Sequence, residues 1–556
     1  MIVKDIVTEI LYGAIENAKQ LGIQVDIAKQ DITVEHPQRS DHGDFATNLP
    51  LQLARHLKRN PFDIAEQLVS MMPKSDAISK VWAEAPGFIN FTLNDTWLAA
   101  RIDALLDGTD LPGEVNIGNG ERLQIEFVSV NPTGPIHVGH ARGAVLGDAL
   151  ARILTAAGYD VTREYYVNDA GRQMDNFYRS LYARYLQVHG QPAEMPEDGY
   201  IGDYLIDLAH DISKEKGTMF TSMDPDEGVR KIGQIGLEKM LDSIREDLKR
   251  LNVEFDVWFR EYTLHDGGQV EAAINLMDQR NFMVEKEGAI WFRSTSLGEE
   301  KDNVLVRSNG IPTYFAADVA YHYDKFIVRY FPRVINIWGA DHQGHVGRMK
   351  AAVKAFGVDP DRLVIIISQM VTIKRGDQRL RASKRTGELV TLPQLLDEVG
   401  SDPCRYFFLA RSPNSQMDFD LDLAKKESSD NPVYYIQYAH ARMTSILRMA
   451  EEKSLEYING NVLLLKDPSE LDLIRKMLTL PEVIESVAVT LEPHNLPHYV
   501  QELATSFHWF YQQCRVISDQ DADREITKAR LKLVAAARLV LRSCLDLMGM
   551  ESPDQM

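Results

Sequence analysis

The sequence predicts a multidomain α/β protein: a parallel-sheet core carrying a helical insertion, a small α+β unit before it and an all-helical domain after it. Three observations predict this. The chain has 556 residues, which at ~100–200 residues per domain allows three to five domains. Arg122–Val130 reads as a strand, Gly139 to Ala157 as a helix and Val161–Val167 as a strand. Strand, helix and strand within ~45 residues form a βαβ unit, which requires a parallel sheet. From about Asp418 onward the pattern is helical to the end.

Taken in order, Val3–Leu21 is an amphipathic helix, Ile32–Val34 a short alternating stretch and His42–Asp44 a turn. Asn48–Leu57 and Phe62–Met72 carry helical periodicity, divided by Asn60-Pro61. Trp82–Leu93 alternates as a strand pair around Pro86-Gly87, and Leu111–Gly120, with Pro112 and three glycines, is a linker. The helix beginning near Gly139 has Val145, Leu146, Ala149, Leu150, Ile153 and Leu154 as its apolar positions, and Gly158 ends it. Roughly Tyr178 to Glu285 reads as a polar helical insertion, and a second half of the parallel sheet begins near Ile290. The expected boundaries are 1–112, 113–412 with the insertion at about 178–285, and 413–556. No internal repeat or low-complexity tract interrupts them.

Composition excludes several classes. Hydrophobic residues are 44% and charged residues 26%, which rules out wholesale disorder. The net charge is −20, which argues against indiscriminate coating of nucleic acid but leaves room for a local basic surface. No apolar run approaches the ~18–20 residues of a membrane span, and the N-terminal helix contains acids, unlike a signal peptide. Three scattered cysteines, Cys404, Cys514 and Cys544, exclude a disulfide framework and a CxxC zinc site. The expectation is an enzyme of the reducing cytoplasm.

The chemistry concentrates at Glu126 to Asp148, EFVSVNPTGPIHVGHARGAVLGD. His137 and His140 stand three apart where a strand passes into a helix, so both rings can point into the space where a helix start favours anions. Gly139 permits close approach of a ligand and Pro135 stiffens the turn. These donors suit a nucleotide phosphate chain; simple capping of the helix is the competing reading. Tyr314 and Asp318, in TYFAADVAYH, lie four apart on one helical face. Glu126 alternates with Ile125 and Phe127, which also fits an ordinary strand surface charge. In WGADHQGHVGR, Asp341, His342 and His345 could suggest a metal site, but no fourth ligand is offered and Asp341 is as well placed to bond ribose hydroxyls.

HVGH resembles the HIGH motif of class I aminoacyl-tRNA synthetases, and the surrounding segment resembles its arginyl-tRNA synthetase version. Three further segments agree in order: GDFATNLPLQLAR (Gly43 to Arg55) is similar to that family's N-terminal add-on domain, RASKRTGELVTL (Arg381 to Leu392) to its KMSKS motif, and NPVYYIQYAHARMTSILR (Asn431 to Arg448) to its anticodon-binding helices. The second motif departs from the pattern: Arg381 replaces its first Lys, Ala382 its Met and Arg385 its last Ser, leaving Ser383 and Lys384.

The resemblance implies a Rossmann-type catalytic core and an ATP-dependent ligase that joins L-arginine to tRNA-Arg, without a structural metal, as a monomer. ATP, as its Mg2+ complex, is expected at Pro132, Gly134, His137, Gly139, His140, Gly339, Asp341, Met370, Val371, Ser383 and Lys384. Of these, His137, His140 and Lys384 are the catalytic set, because basic groups stabilise charge growing on departing pyrophosphate. Glu126, Asn131, Tyr314, Asp318 and His342 are implied around arginine, whose planar guanidinium needs carboxylate acceptors and an aromatic face. Asn168, Asp169 and Gln173 (YVNDAGRQ) match the family as pocket floor, with a plain Asx turn competing at Asn168-Asp169. For tRNA, Asn90 matches the residue that reads a D-loop base. Arg524, Lys528 and Lys532 repeat every four residues, in the same domain as the aromatics Trp509, Phe510 and Tyr511. Basic residues beside aromatics suit a splayed anticodon loop, against a solvated face as the plain alternative. Tyr435 belongs to that surface, or, with Tyr438 and His440, to core packing. The rivals are another class I synthetase, such as the cysteinyl enzyme, and a non-catalytic tRNA-binding paralogue. The missing cysteine–histidine cluster opposes the first, and the retained histidine pair and loop lysine oppose the second.

Overall fold

The computed structural model describes residues 2–20, 27–376, 378–380 and 390–556. The first helix, Val3–Gln20, buries Val3, Val7, Ile10, Leu11, Ala14, Ile15 and Ala18, the three- and four-residue spacing that places apolar groups on one face. An antiparallel sheet follows, in spatial order Phe45–Thr47, Phe88–Leu93, Ile78–Glu84. Asn60 caps the helix Pro61–Ser70 by accepting from Phe62 N at 2.9 Å. The hairpin turns at Pro86-Gly87 as expected. The helix Asp95–Leu106 then packs against Pro468–Leu478 and Arg524–Met548 in the C-terminal bundle. The linker lies against that bundle too: Ser543 Oγ donates to Pro112 O at 2.9 Å.

The centre is a five-stranded parallel sheet, ordered Leu363–Ser368, Arg333–Gly339, Arg122–Glu126, Asp160–Val167, Val257–Arg260. The helix Val138–Ala156 that follows the strand Arg122–Glu126 is apolar nearly all round and correspondingly buried. One apolar core runs from the N-terminal unit through this helix into the bundle, and a second lies under the helices Tyr314–Tyr323 and Val346–Ala355.

Four sequence expectations are corrected. The strand expected to reach Val130 stops at Glu126, because Val128 and Ser129 adopt left-handed backbone (φ 69° and 43°) and turn the chain out of the sheet. The stretch 178–285 does contain helices, Asp203–Lys216 and Pro225–Arg250, but it also holds the edge strand Val257–Arg260 of the central sheet, too short to show a period. Ile290 belongs to a separate antiparallel sheet, Met283–Lys286, Ala289–Phe292 and Asn303–Val306, so the second half of the parallel sheet begins at Arg333. The C-terminal region likewise opens on a strand, Met417–Asp420, parallel to Val371–Arg375, before helices take over at Leu421. Among the described residues no helix is long and apolar enough to cross a membrane.

Candidate active site

The strand order places the site. Connections leave Arg122–Glu126 toward one side of the sheet and Arg333–Gly339 toward the other, so the chain ends of these two neighbours border the crevice where open parallel sheets bind ligands. The segment through Asn131 and His140 follows the first; Gly339 through His345 follows the second.

His137 is the N-cap residue of its helix, with Nδ1 accepting from Gly139 N at 3.1 Å. The two histidine rings lie 4.0 Å apart, as the spacing predicts. Gly139 is required there: a Cβ would sit 2.9 Å from His137 Cε1. So His137 does cap, and still shares one space with His140; the two readings of the motif are compatible. Tyr204 Oη donates to Thr133 O at 2.6 Å and lies beside Gly134, while Pro132 is buried, so the NPTGP loop is held from the insertion side. Val138 N donates to Val390 O, and Leu392 N to Ile136 O, pinning the chain at Thr391 to the histidine turn. Arg381, Ser383, Lys384 and Arg385 lie outside the described residues.

Arg142, two residues beyond His140, is buried and donates to backbone carbonyls: Gln369 at 3.1 Å, Ser415 at 2.7 Å, Ser412 at 2.7 Å and Arg411 at 3.4 Å. It ties the histidine helix to the segment bearing Met370 and Val371. Met370 is largely exposed and its carbonyl accepts from Met417 N, while Val371 begins the strand paired with Met417. Gly339 ends its strand, and a Cβ there would meet Asp341 Oδ1 at 2.7 Å. Asp341 and His342 are exposed, with Asp341 Oδ2 and His342 Nε2 3.8 Å apart. Among the described residues no cluster of His, Cys, Asp and Glu could hold a metal ion.

The amino-acid side is built from buried charge. Tyr166 is buried with no hydrogen-bond partner for its hydroxyl. Burial and the neighbouring carboxylates of Glu261, Asp318, Glu126 and Asp169 push its ionisation far up. Burial raises Asp318 to about 7, Arg348 opposing and Glu126 adding to the shift. Burial raises Glu261 to about 8, with Asp318 and Asp169 contributing. Carboxyls held this far up are short of a cation. Asp169 is not a plain Asx turn: it accepts from Tyr262 N at 3.1 Å and pairs with Arg260 at 3.3 Å. Glu126 is no surface charge. Its Oε1 accepts from Ser129 Oγ at 3.0 Å and its Oε2 from the fully buried Lys325 at 2.6 Å. Asn168 Nδ2 donates to Ser129 O at 3.1 Å, fixing the left-handed turn. Asn131 is exposed and bonds Gln173 at 2.5 Å; Tyr314 is 61% exposed, its ring beside Gly171.

Two nucleic-acid expectations are corrected. Asn90 is 1% exposed with neither amide atom partnered, because it lies on the middle strand of its sheet; it does not present itself to a base. Lys532 is buried against Asp103 and donates to Gly460 O at 3.2 Å, so it joins the helix Asp95–Leu106 to the bundle. Lys528 pairs with Glu525 at 2.7 Å, and Arg524 is exposed. The aromatic surface lies instead on the helices Pro432–Glu452 and Asn495–Gln513. Tyr434 and Tyr438 stack, Tyr435 packs 4.6 Å from His508, and the Arg442 guanidinium covers Tyr438 at 4.5 Å and Tyr511 at 4.8 Å. His440 is buried and bonds Pro553 O at 2.9 Å, a packing role.

Sequence reasoning missed Glu261, Tyr166, Lys325, Arg142, Arg442 and His508. One signal was available: Asp318, His322 and Lys325 fall at i, i+4 and i+7, a polar face on an otherwise apolar helix.

Residues 3–93 match the arginyl tRNA synthetase N terminal domain, 102–407 the catalytic domain of tRNA synthetases class I (R), and 436–556 the DALR anticodon binding domain. An arginine–tRNA ligase of Dehalococcoides mccartyi is 54% identical over 100% of this chain and 99% of its own. That of Moorella thermoacetica is 48% identical over 95% and 94%. A putative arginyl-tRNA synthetase structure from Campylobacter jejuni is 34% identical with a TM-score of 0.77, covering 84% of this chain and 100% of its own. The Thermus thermophilus arginyl-tRNA synthetase shares the fold across 100% of both chains, at 23% identity and a TM-score of 0.79. The crevice at the sheet's crossover, the histidine pair beside it and these matches together place the chain in the family of arginyl-tRNA synthetases, the class I arginine–tRNA ligases.

Proposed function

We propose that the crevice activates arginine and that its two sides divide the work. ATP, as its magnesium complex, lies along Pro132, Gly134 and Gly139, with His137 and His140 donating to the phosphates. Gly339 and Asp341 meet the ribose, and the backbone at Met370 and Val371 meets adenine. Arginine's guanidinium enters the carboxylate-lined side, against Asp318 and Glu261, with Glu126, Tyr166 and Tyr314 around it and with Asn131 and His342 toward its carboxylate. That carboxylate attacks the α-phosphate, giving arginyl-adenylate and pyrophosphate. Ser383 and Lys384, with Arg381 or Arg385, carry charge to the departing pyrophosphate. A ribose hydroxyl of the terminal adenosine of tRNA-Arg then attacks the activated carbonyl, breaking its bond to the phosphate and releasing AMP. No side chain serves as nucleophile, so catalysis is positioning and charge stabilisation.

The observation that carries this reading is the pair of under-compensated carboxyls, Asp318 and Glu261, beside a chain turn that aims two imidazoles into the same crevice. Two opposed needs, a cation and a polyanion, are met on its two sides. The anticodon loop is assigned to the Tyr438–Arg442–Tyr511 surface, residues 1–112 to the tRNA body, 113–412 to activation and 413–556 to the anticodon. A cytoplasmic monomer that forms adenylate efficiently only with tRNA bound completes the proposal. Pyrophosphate exchange across the twenty amino acids, with and without total tRNA, tests it: exchange with arginine alone, dependent on tRNA, is expected. Exchange with another amino acid, or none with any, overturns it.

A further inference from the structure

Among the described residues, Lys325 is the cation of the amino-acid side whose place is fully internal. It sits in a π-helical turn, Asp324–Val328, that continues the Tyr314–Tyr323 helix, and such turns re-aim side chains that a regular helix would bury elsewhere. Its ammonium is buried, donates to Glu126 Oε2 at 2.6 Å and to Asn336 Oδ1 at 3.0 Å, and lies 4.0 Å over the Tyr321 ring. Asn336, on the strand beside that of Glu126, passes the contact on: its Nδ2 lies 2.9 Å from His322 Nε2, and His322 Nδ1 lies 2.8 Å from Asp318 O. A carbonyl only accepts, so Nδ1 carries the proton and Nε2 accepts from Asn336. Burial holds His322 neutral, at about 3. The chain Glu126–Lys325–Asn336–His322 therefore ends on the backbone carbonyl of Asp318, linking the Glu126 carboxylate to the helix turn that carries Asp318.

We propose that Lys325 is a positioning residue for arginine recognition, acting through Glu126: its ammonium fixes that carboxylate in the empty site, leaving its remaining lone pairs for the incoming guanidinium. The proposal rests on the reading that Glu126 borders the arginine pocket. The physical reason is crowding of like charge. The Glu126 charge adds to the rise at Asp318 and Asp318 adds to the rise at Glu261, and neighbouring carboxyls short of a cation take up protons. Lys325 cannot be the cation for all of them, since Glu126 and Asn336 occupy it. It leaves Asp318 and Glu261 to be satisfied by the substrate and holds Glu126 ready. Ser129 completes the hold on Oε1 at 3.0 Å. A carboxylate has about four acceptor directions, so the two contacts do not exhaust it.

The test is a double-mutant cycle with wild type, Lys325→Met, Glu126→Gln and the double variant. Pyrophosphate exchange with tRNA present is read as KM for arginine, KM for ATP and kcat. Lys325→Met is expected to raise the arginine KM ~30-fold or more, the range for one partner removed from a buried charge pair, while the ATP KM moves less than about twofold. The double variant should match Glu126→Gln alone, because a residue acting only through another loses its effect once that other is gone. Should Lys325→Met fail to fold through its uncompensated buried carboxylate, the double variant removes that charge and still decides. A double variant clearly worse than Glu126→Gln, or arginine and ATP KM rising together, overturns the proposal. An unchanged arginine KM in Glu126→Gln overturns the pocket reading beneath it, a result distinct from either of those.

Discussion

The two sides of the crevice are made of different materials. The nucleotide side consists of turns, strand ends and glycines: His137 caps its own helix, Gly139 and Gly339 leave room that a Cβ would fill, and Arg142 stitches the histidine helix to the carbonyls at Gln369, Ser412 and Ser415. The amino-acid side consists of buried ionisable side chains, two of them carboxyls that burial holds above the ordinary range. ATP presents phosphates and a base edge that backbone and short donors can meet, whereas arginine presents one planar cation that only prepositioned carboxylates distinguish from lysine. The difference teaches where each kind of damage should appear: in the rate for one side, in substrate affinity for the other.

The largest effect belongs to the amino-acid side. Asp318→Asn removes a charge the guanidinium needs, and by the range for breaking one side of a buried charge pair, ~2–5 kcal/mol, arginine affinity should fall by about 30-fold to several thousand-fold. ATP affinity should stay put. Titration calorimetry of arginine with tRNA present measures it; equal affinities would place the guanidinium elsewhere. On the nucleotide side, His140→Ala should lower adenylate formation by ~10²–10³, the usual loss of one transition-state donor worth ~2.7–4 kcal/mol, with arginine binding nearly intact. Single-turnover adenylate formation reads it, and a normal rate would unseat the histidine pair from the phosphates.

Acidity should separate the sides as well. Burial raises Asp318 to about 7 and Glu261 to about 8, so the empty site holds protons near pH 6 that the guanidinium must displace. Arginine affinity should therefore rise from pH 6 to 8, by about tenfold for the Asp318 proton and about fiftyfold for that of Glu261, while ATP affinity stays flat. Stability runs the other way. An acid whose folded value is raised contributes stability fully present below its unfolded value near ~4, and loses it as pH rises through the folded value. Thermal midpoints of the arginine-free enzyme should thus decline across pH 6 to 8, and Asp318→Asn should lessen the decline. An arginine affinity indifferent to pH over that range would mean the carboxyls are already ionised when the site is empty.

The same contrast explains what the sequence disclosed. His137, Gly139 and His140 are neighbours in the chain, so the local rule that places anions at a helix start sufficed. Arg122–Val130 kept the residues of a strand beyond its true end at Glu126, because left-handed turns at Val128 and Ser129 leave no trace in a hydrophobic pattern. Glu261 and Tyr166 join the pocket from the sheet's edge region and from a neighbouring strand, a convergence no spacing within one segment reveals. Asp318 and Glu126 were reached through family resemblance. Lys325 lay on the same helical face as Asp318 and was passed over, because a lysine reads as solvent-facing until a buried acid across the sheet is known.

The smallest effect is expected where a pattern misled. Arg524, Lys528 and Lys532 repeat every four residues, and the repeat reads as a cationic stripe for tRNA. In the fold Lys532 is buried between Asp103 and the Gly460 carbonyl, whereas Arg442 lies over two tyrosine rings on the helices Pro432–Glu452 and Asn495–Gln513. Bases stack on aromatic and guanidinium planes at ~1–3 kcal/mol each, so Arg442→Ala should weaken tRNA binding by about 5- to 150-fold. Lys532→Met should leave the tRNA affinity within about twofold, since a cation already paired inside the protein has no phosphate to release counterions from. Its cost falls on stability instead, by ~3–5 kcal/mol at most for a buried pair and less here, because Asp103 can turn its half-exposed carboxylate to water. Filter binding of tRNA-Arg to both variants, beside their melting curves, separates the two roles. A Lys532→Met variant that melts normally but loses tRNA would return the stripe to the interface and remove Arg442 from sole charge of the anticodon surface.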